Sequence, residues 1–230
     1  MSRGRWDRYE AAVLADRRLE ALLAEGWRSA LKVALGPLLA VGIMLLAQGP
    51  DLAWRCMAWA VYGTGMWMAC GEVVAERERW ARERALGVLA SSQVMGALRA
   101  MGLLGVVSTA GFVTVVQLMG SPGPPVGWLA LTLLATLLCG LGSGLLVGVW
   151  VRRARMAWAA VAGVLAAQAL LLVWADANWG VPAVGAYATL EAFGGEAVEV
   201  FAGAGRLAVV ALEGAAGVLM SAWLLARRRW

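Results

Sequence analysis

The sequence predicts an all-α integral membrane protein: six transmembrane helices, an amphipathic helix ahead of the first, and a short charged cytoplasmic helix between the second and third. Three observations point there. Hydrophobic residues make up 61% and charged residues 15% of the 230, far from the roughly 45–50% apolar and about 25% charged of soluble domains. The apolar residues gather in six runs, each near the ~20 residues that cross a hydrocarbon core. Once those runs are counted as spans, all of the 20 Lys and Arg except Arg55 and Arg206 fall on one side, as the positive-inside rule requires. The chain therefore reads as a single transmembrane domain over 1–230, in the inner (cytoplasmic) membrane of the cell with both termini cytoplasmic. Its net charge of +5 is accounted for by loops beside membrane lipid better than by nucleic acid as a partner.

The elements follow in order. Within residues 1–30, Leu19, Leu22, Leu23, Trp27 and Ala30 recur at helical spacing, with Asp16, Arg17, Glu20, Glu25 and Arg28 elsewhere around the wheel, which predicts an interfacial helix feeding the first span. The stretch is too long and too charged for a signal peptide and is expected to stay. The first span is expected at about Ser29–Gln48, closed by Gly49-Pro50-Asp51, and the second at about Leu52–Cys70. The third, about Leu98–Met119, ends at the helix-breaking run from Gly120 to Pro125. The fourth is about Trp128–Val151, the fifth about Met156–Trp174 and the sixth about Leu207–Ala226. Between the last two, Ala175–Arg206 is too long for an ordinary loop and too polar for a full span. Trp54, Trp128, Trp174 and Trp179 sit where an aromatic belt belongs. Cys56, Cys70 and Cys139 fall in apolar runs or at their edges and offer no disulfide framework.

The stretch Gly71–Gly87, GEVVAERERWARERALG, is the densely charged segment between two apolar runs. Glu78 with Arg82 and Arg79 with Glu83 stand four apart, and Glu76 with Arg79 three apart, so opposite signs meet along one helix. No Pro or Gly follows Gly71 before Gly87, which predicts one continuous helix. It is too polar to cross a bilayer and is expected to lie on the cytoplasmic side. Trp80 ringed by charges of both signs has the composition of an interface anchor, and a solvated loop helix is the plainer alternative.

The chain has no histidine, hence no His-based triad and no His metal site. It has no G-x-x-x-x-G-K-[ST] phosphate cradle and no paired intramembrane carboxylates of the proton-relay kind. It is not expected to be an enzyme by its own residues, and no cofactor or metal is expected on it. Glu213 lies inside the sixth run, where a charge costs about 2.5–3.5 kcal/mol on insertion scales. It is either functional or relieved by snorkelling or by Arg206. Gly140, Gly142, Gly144 and Gly148 give the fourth span a small-residue face, read as packing within the chain rather than as a dimer seam. Gln168, Thr64, Met66 and Trp67 are weaker candidates for lining a path.

The amphipathic helix, two spans, the pattern E-x-x-x-E-R-x-x-x-x-R-E-R-x-x-G and then four more spans resemble the membrane subunit of an ABC exporter, of the type-2, G-subfamily-like kind. The pattern is carried by Glu72, Glu76, Arg77, Arg82, Glu83, Arg84 and Gly87. The likeness covers nearly the whole chain in architecture and this one segment in residues. It implies that 1–30 is the elbow helix, that 71–90 holds the coupling helix, and that Glu72, Glu76, Arg77, Trp80, Arg82, Glu83, Arg84 and Gly87 engage a separate nucleotide-binding ATPase, which binds the ATP. It also implies a dimer with a second permease subunit, a translocation path along the second and fifth spans, and a re-entrant outer segment at 175–206, where the family's proline motif is reduced to Pro182. Reversing the charges of Glu83 and Arg84 is then expected to uncouple ATP hydrolysis from transport. A haem-exporter-type ABC permease of cytochrome c maturation and a non-transport membrane scaffold are the rival readings.

Overall fold

The computed structural model describes residues 3–24, 26, 30, 34, 38, 42, 50–118, 126–151, 153–174 and 197–227. The elements among them are all helices: α1 (Arg3–Ala24), α2 (Pro50–Ala75), α3 (Arg77–Ala85), α4 (Ala90–Leu118), α5 (Val126–Trp150), α6 (Ala154–Trp174) and α7 (Ala197–Arg227). Long runs of Ala, Leu, Val and Met hold their backbone hydrogen bonds within the helix, the arrangement that hydrocarbon demands. Among the described residues three stretches, Ala90–Val115, Ala130–Trp150 and Ala204–Arg227, are long and apolar enough to cross a membrane. Their outward residues, among them Leu103, Val106, Leu131, Leu134, Leu212 and Leu219, are exposed apolar side chains, as a lipid-facing surface requires. The expected first span at about Ser29–Gln48, the Gly120–Pro125 exit loop and residues 175–196 lie outside the described residues.

Two expected boundaries are corrected. The helix expected as the second span does not stop at Cys70 but runs five residues further, to Ala75, so Glu72 belongs to that helix rather than to the charged one. Residues 197–206, taken with the segment before the last span, are already helical and continue without a break into α7.

Helix α5 packs most closely on α2 and on α7, and its glycines are the reason. On one face, a Cβ at Gly140 or Gly144 would run into the backbone carbonyl of Tyr62 or Met66, and one at Gly148 would lie 2.8 Å from Val73 Cβ. On the other face, a Cβ at Gly142 would meet the Gly214 carbonyl, and Gly217 backs onto Gly142 in return. Small residues let these backbones approach without intervening side chains. The glycine stripe is thus spent within the chain, on two neighbours at once.

Helix α1 lies on α4. Among its described side chains the buried ones are Ala11, Leu14, Ala15 and Arg18, a three-and-four spacing shifted from the expected Leu19 stripe; Leu19 itself is half-buried. Gly96 admits the contact, since a Cβ there would sit 2.9 Å from Leu14 Cβ.

Candidate functional site

The charged segment is not one helix. Glu76, at φ −101° and ψ 12°, forms a turn between α2 and α3, although helix-type hydrogen bonds cross it, from Glu76 N to Glu72 O at 2.9 Å and from Trp80 N to Glu76 O at 2.9 Å. The result is a bend with the backbone still satisfied. The other end is closed by Gly87 at φ +91°, with Val88 N donating to Glu83 O and Gly87 N to Arg84 O, both at 3.0 Å. This is a Schellman C-cap, which favours glycine in the left-handed position. Gly87 in the sequence pattern therefore has a structural role in ending α3.

One face of α3 turns inward. Arg77, Trp80 and Arg84, at i, i+3 and i+7, share it. Arg77 Nη2 donates to Gly148 O at 2.8 Å and also to Val151 O, reaching carbonyls in the last turn of α5 and just beyond it. Arg84 Nη1 donates to Leu225 O at 2.6 Å, near the end of α7. A guanidinium at a helix C-terminus meets unsatisfied carbonyls and the negative end of the dipole. Helix α3 is in this way tied to the ends of two long apolar helices.

Trp80 is 1% exposed and belongs to the hydrophobic core with Val94, Ala97 and Leu225. The indole expected to be displayed as an interface anchor is instead packed among the core side chains, where it contributes to folding. Above its ring, 4.6 Å from the centroid, lies the guanidinium of Arg18. Arg18 is 2% exposed. It donates to Gln93 O at 2.8 Å and stands 3.7 Å from Glu83 Oε2. Burial lowers its pKa from the ordinary arginine value, while Glu72 and then Glu83 oppose the shift; an arginine remains charged under these conditions. Gln93, also buried, closes the network by donating from Nε2 to Trp80 O and to Glu83 Oε2, both at 2.9 Å.

Two of the three ion pairs expected along the helix form, both on Arg79, which lies 3.3 Å from Glu76 and 3.2 Å from Glu83; the expected pair of Glu78 with Arg82 is not found among the described residues. Glu83 thus bridges Arg79, Arg18 and Gln93. Glu83 and Arg84 both serve internal contacts, so the charge reversal proposed at these two positions would disturb the fold before it tested any partner. The outward face is Glu78, Arg82 and Ala85, followed by Leu86, whose 86% exposure is high for a leucine. Beside the bend, a cleft of about 520 Å³ is lined by residues 74–79 and Arg82.

The remaining sequence candidates lie in the helical bundle. Thr64 donates to Ala60 O at 2.8 Å, one turn back on its own helix, so its hydroxyl is occupied. Met66 is buried beside Tyr62 and Cys70, and Trp67 is half-buried, its ring 6.3 Å from that of Trp158. Gln168 is buried, and Glu213 has a buried Oε2 with no hydrogen-bond partner among the described residues. Tyr62 of α2 lies in one buried cluster with Val161 of α6 and Val210 of α7, which brings the second, fifth and sixth expected spans together.

Arg18, Gln93 and Tyr62 were not singled out from the sequence. Gln93 shares the helix face of Ala97, Ala100 and Leu104, and Arg18 that of Ala11, Leu14 and Ala15, all buried. A polar residue in register with an apolar stripe was the available signal. Comparison with known proteins finds no protein-family model and no curated protein that matches the chain.

Proposed function

We propose that the chain is the permease subunit of a type-2, G-subfamily-like ABC exporter, with six spans, both termini cytoplasmic and α3 as the helix that receives force from an ATPase on a separate chain. The observation that carries this reading is the pair of arginine contacts: Arg77 on the end of α5 and Arg84 on the end of α7. A short helix joined to two spans by charge-assisted hydrogen bonds cannot be displaced without moving those ends. Its outward residues Glu78 and Arg82 and the cleft at the bend give a partner charges of both signs and a recess to engage. The inward residues then act as linkage and the outward ones as contact, so the roles first given together to Glu72, Glu76, Arg77, Trp80, Arg82, Glu83, Arg84 and Gly87 divide between two faces.

In this mechanism ATP binding on the partner shifts α3, and α1 travels with it, because Arg18 joins the two through Trp80 and Glu83. The ends of α5 and α7 follow, and tight glycine contacts pass the motion to α2 as a rigid body rather than dissipating it in side chains. A second permease subunit completes the pathway. The test is co-purification from native membranes. A nucleotide-binding subunit in stoichiometric amount that is lost in the Glu78→Arg/Arg82→Glu double variant supports the reading. A chain that purifies without such a subunit contradicts it.

A further inference from the structure

We infer that the corner between α5 and α6 binds the headgroup of an anionic phospholipid, in the leaflet on the α3 side of the membrane. Its charged groups are Arg153 and Arg155, both exposed. Among the described residues neither guanidinium makes a hydrogen bond or an ion pair. The sequence has a third arginine at 152 and no Asp or Glu from Arg84 to Ala175. Glu76, the carboxylate at the adjoining bend, is held by Arg79. Nor is the charge spent on the end of α5, because Arg77 already serves the carbonyls of Gly148 and Val151. The corner is therefore left with a positive charge for an anion from outside the chain.

This charge cannot stand far from hydrocarbon. Residues 151–153 alone separate Trp150, the last of α5, from Ala154, the first of α6. Helix-type hydrogen bonds enter that gap from both sides, from Val151 N to Val147 O at 2.9 Å and from Ala157 N to Arg153 O at 3.0 Å. The stretch before the corner is long and apolar enough to cross a membrane, and the one after it, Ala154–Leu170, is apolar as well. An arginine on so short a connection keeps its stem against the apolar boundary and its guanidinium at the phosphate level.

The side chains beside the arginines favour lipid over a water-borne anion or a soluble protein. Trp150 is 64% exposed, Met156 58% and Trp158 36%. Trp158 is fixed from behind by α2: its ring lies 6.3 Å from that of Trp67, and a Cβ added to Gly71 would sit 3.2 Å from it. Indoles settle at the headgroup level, with one edge in hydrocarbon and the N–H toward water. Guanidiniums offer phosphate oxygens paired donors as well as charge. The same pairing recurs at the end of α7, where Arg227 stands 4.0 Å over the ring of the exposed Trp223. Arg84 ties that helix end to α3 as Arg77 ties the end of α5. Two tryptophan–arginine groups on helix ends held by one short helix mark one interfacial level.

The site is independent of the exporter reading, and its test needs no ATPase. The purified full chain in detergent is titrated with phosphatidylglycerol and with phosphatidylcholine of the same acyl chains, and native mass spectrometry reads the one-lipid complex. Phosphatidylglycerol is expected to bind at least tenfold more tightly. One arginine beside an anionic headgroup is worth about a fivefold gain in affinity, so Arg153→Gln and Arg155→Gln are each expected to weaken binding by about that factor and the double variant by about 25-fold. Thermal melts establish that the variants are folded, and Arg153→Lys/Arg155→Lys, which keeps the charge, is expected to bind more tightly than the glutamine pair. Arg17→Gln, which removes an exposed charge from α1, is expected to bind as the unaltered chain does. Equal affinity for the two lipids, or a double glutamine variant that binds undiminished, would overturn the assignment. So would an Arg17→Gln effect as large as that of either corner variant, since it would show diffuse attraction to the whole chain. In native membranes a photo-crosslinker attached through Met156→Cys, with the native cysteines replaced by alanine, is expected to label phospholipid. Adducts to protein alone would make the corner a protein-binding surface and overturn the lipid assignment.

Discussion

Arg77 and Gly148, 71 positions apart in the chain, are joined by a guanidinium-to-carbonyl hydrogen bond of 2.8 Å. The contact places a cation at the carboxyl end of a long apolar helix and fastens the charged helix to it. Arg84 repeats the arrangement on Leu225, so two arginines seven residues apart hold two different helices at the same level.

Removing either guanidinium is expected to cost stability. Hydrogen bonds to charged groups contribute about 1.5–3 kcal/mol, and Arg77 makes two of them, so Arg77→Ala is expected to lose about 2 kcal/mol and Arg84→Ala somewhat less. Thermal unfolding in detergent reads this directly. Arg77→Lys is expected to recover only part of the loss, because one ammonium cannot reproduce the planar fork.

Arg18 holds the N-terminal helix against the charged one. Breaking a buried pair by removing one partner costs about 3–5 kcal/mol, so Arg18→Ala is expected to fall near the lower bound, given the 3.7 Å separation from Glu83. Arg18→Ala combined with Glu83→Gln is expected to be less destabilised than the two single variants together. Strict additivity in that double-mutant cycle would mean that the two residues are not coupled.

The glycines separate into two kinds. Gly140→Ala and Gly144→Ala place a methyl group against the carbonyls of Tyr62 and Met66 and are expected to destabilise by about 1–3 kcal/mol, the range for overpacking. Gly163 and Gly205 have nothing within 4 Å of an added Cβ, so alanine there is expected to be neutral within about 1 kcal/mol. Yield of monodisperse protein and melting temperature distinguish the two sets.

Trp80→Ala is expected to unfold or severely destabilise the domain, since truncating a buried tryptophan costs about 3–5 kcal/mol. Leu86→Ala, at a position 86% exposed, is expected to leave the melting temperature unchanged. A mild Trp80→Ala phenotype together with loss of partner binding would restore the surface-anchor reading.

Much of this was legible in the sequence, for reasons that can be named. Hydropathy and charge bias pick out the long apolar helices because a backbone in hydrocarbon has few alternatives. Opposite charges three and four apart indicated the Arg79 pairs, and glycines four apart indicated the close approach of α5 to its neighbours. Which face a residue occupies was not legible in the same way. Trp80 looks like an anchor when its charged neighbours are read along the chain, and only the arrival of α1, α4 and α7 covers it. Arg18 and Glu83, 65 positions apart in the chain, meet across two helices, and Val161 and Val210 join Tyr62 in one buried cluster from two more. No local pattern encodes such meetings. The bend at Glu76 was equally hidden, because neither Pro nor Gly marks it.

The central claim is that the outward face of α3 touches a nucleotide-binding partner. A photo-crosslinker attached through Arg82→Cys, in a chain whose native Cys56, Cys70 and Cys139 are replaced by alanine, tests it most directly in native membranes. The account predicts a single dominant adduct to a nucleotide-binding protein, strengthened or weakened by ATP and absent when the crosslinker is moved to the lipid-facing Leu131. Adducts only to lipid, or to a protein that binds no nucleotide, would contradict it.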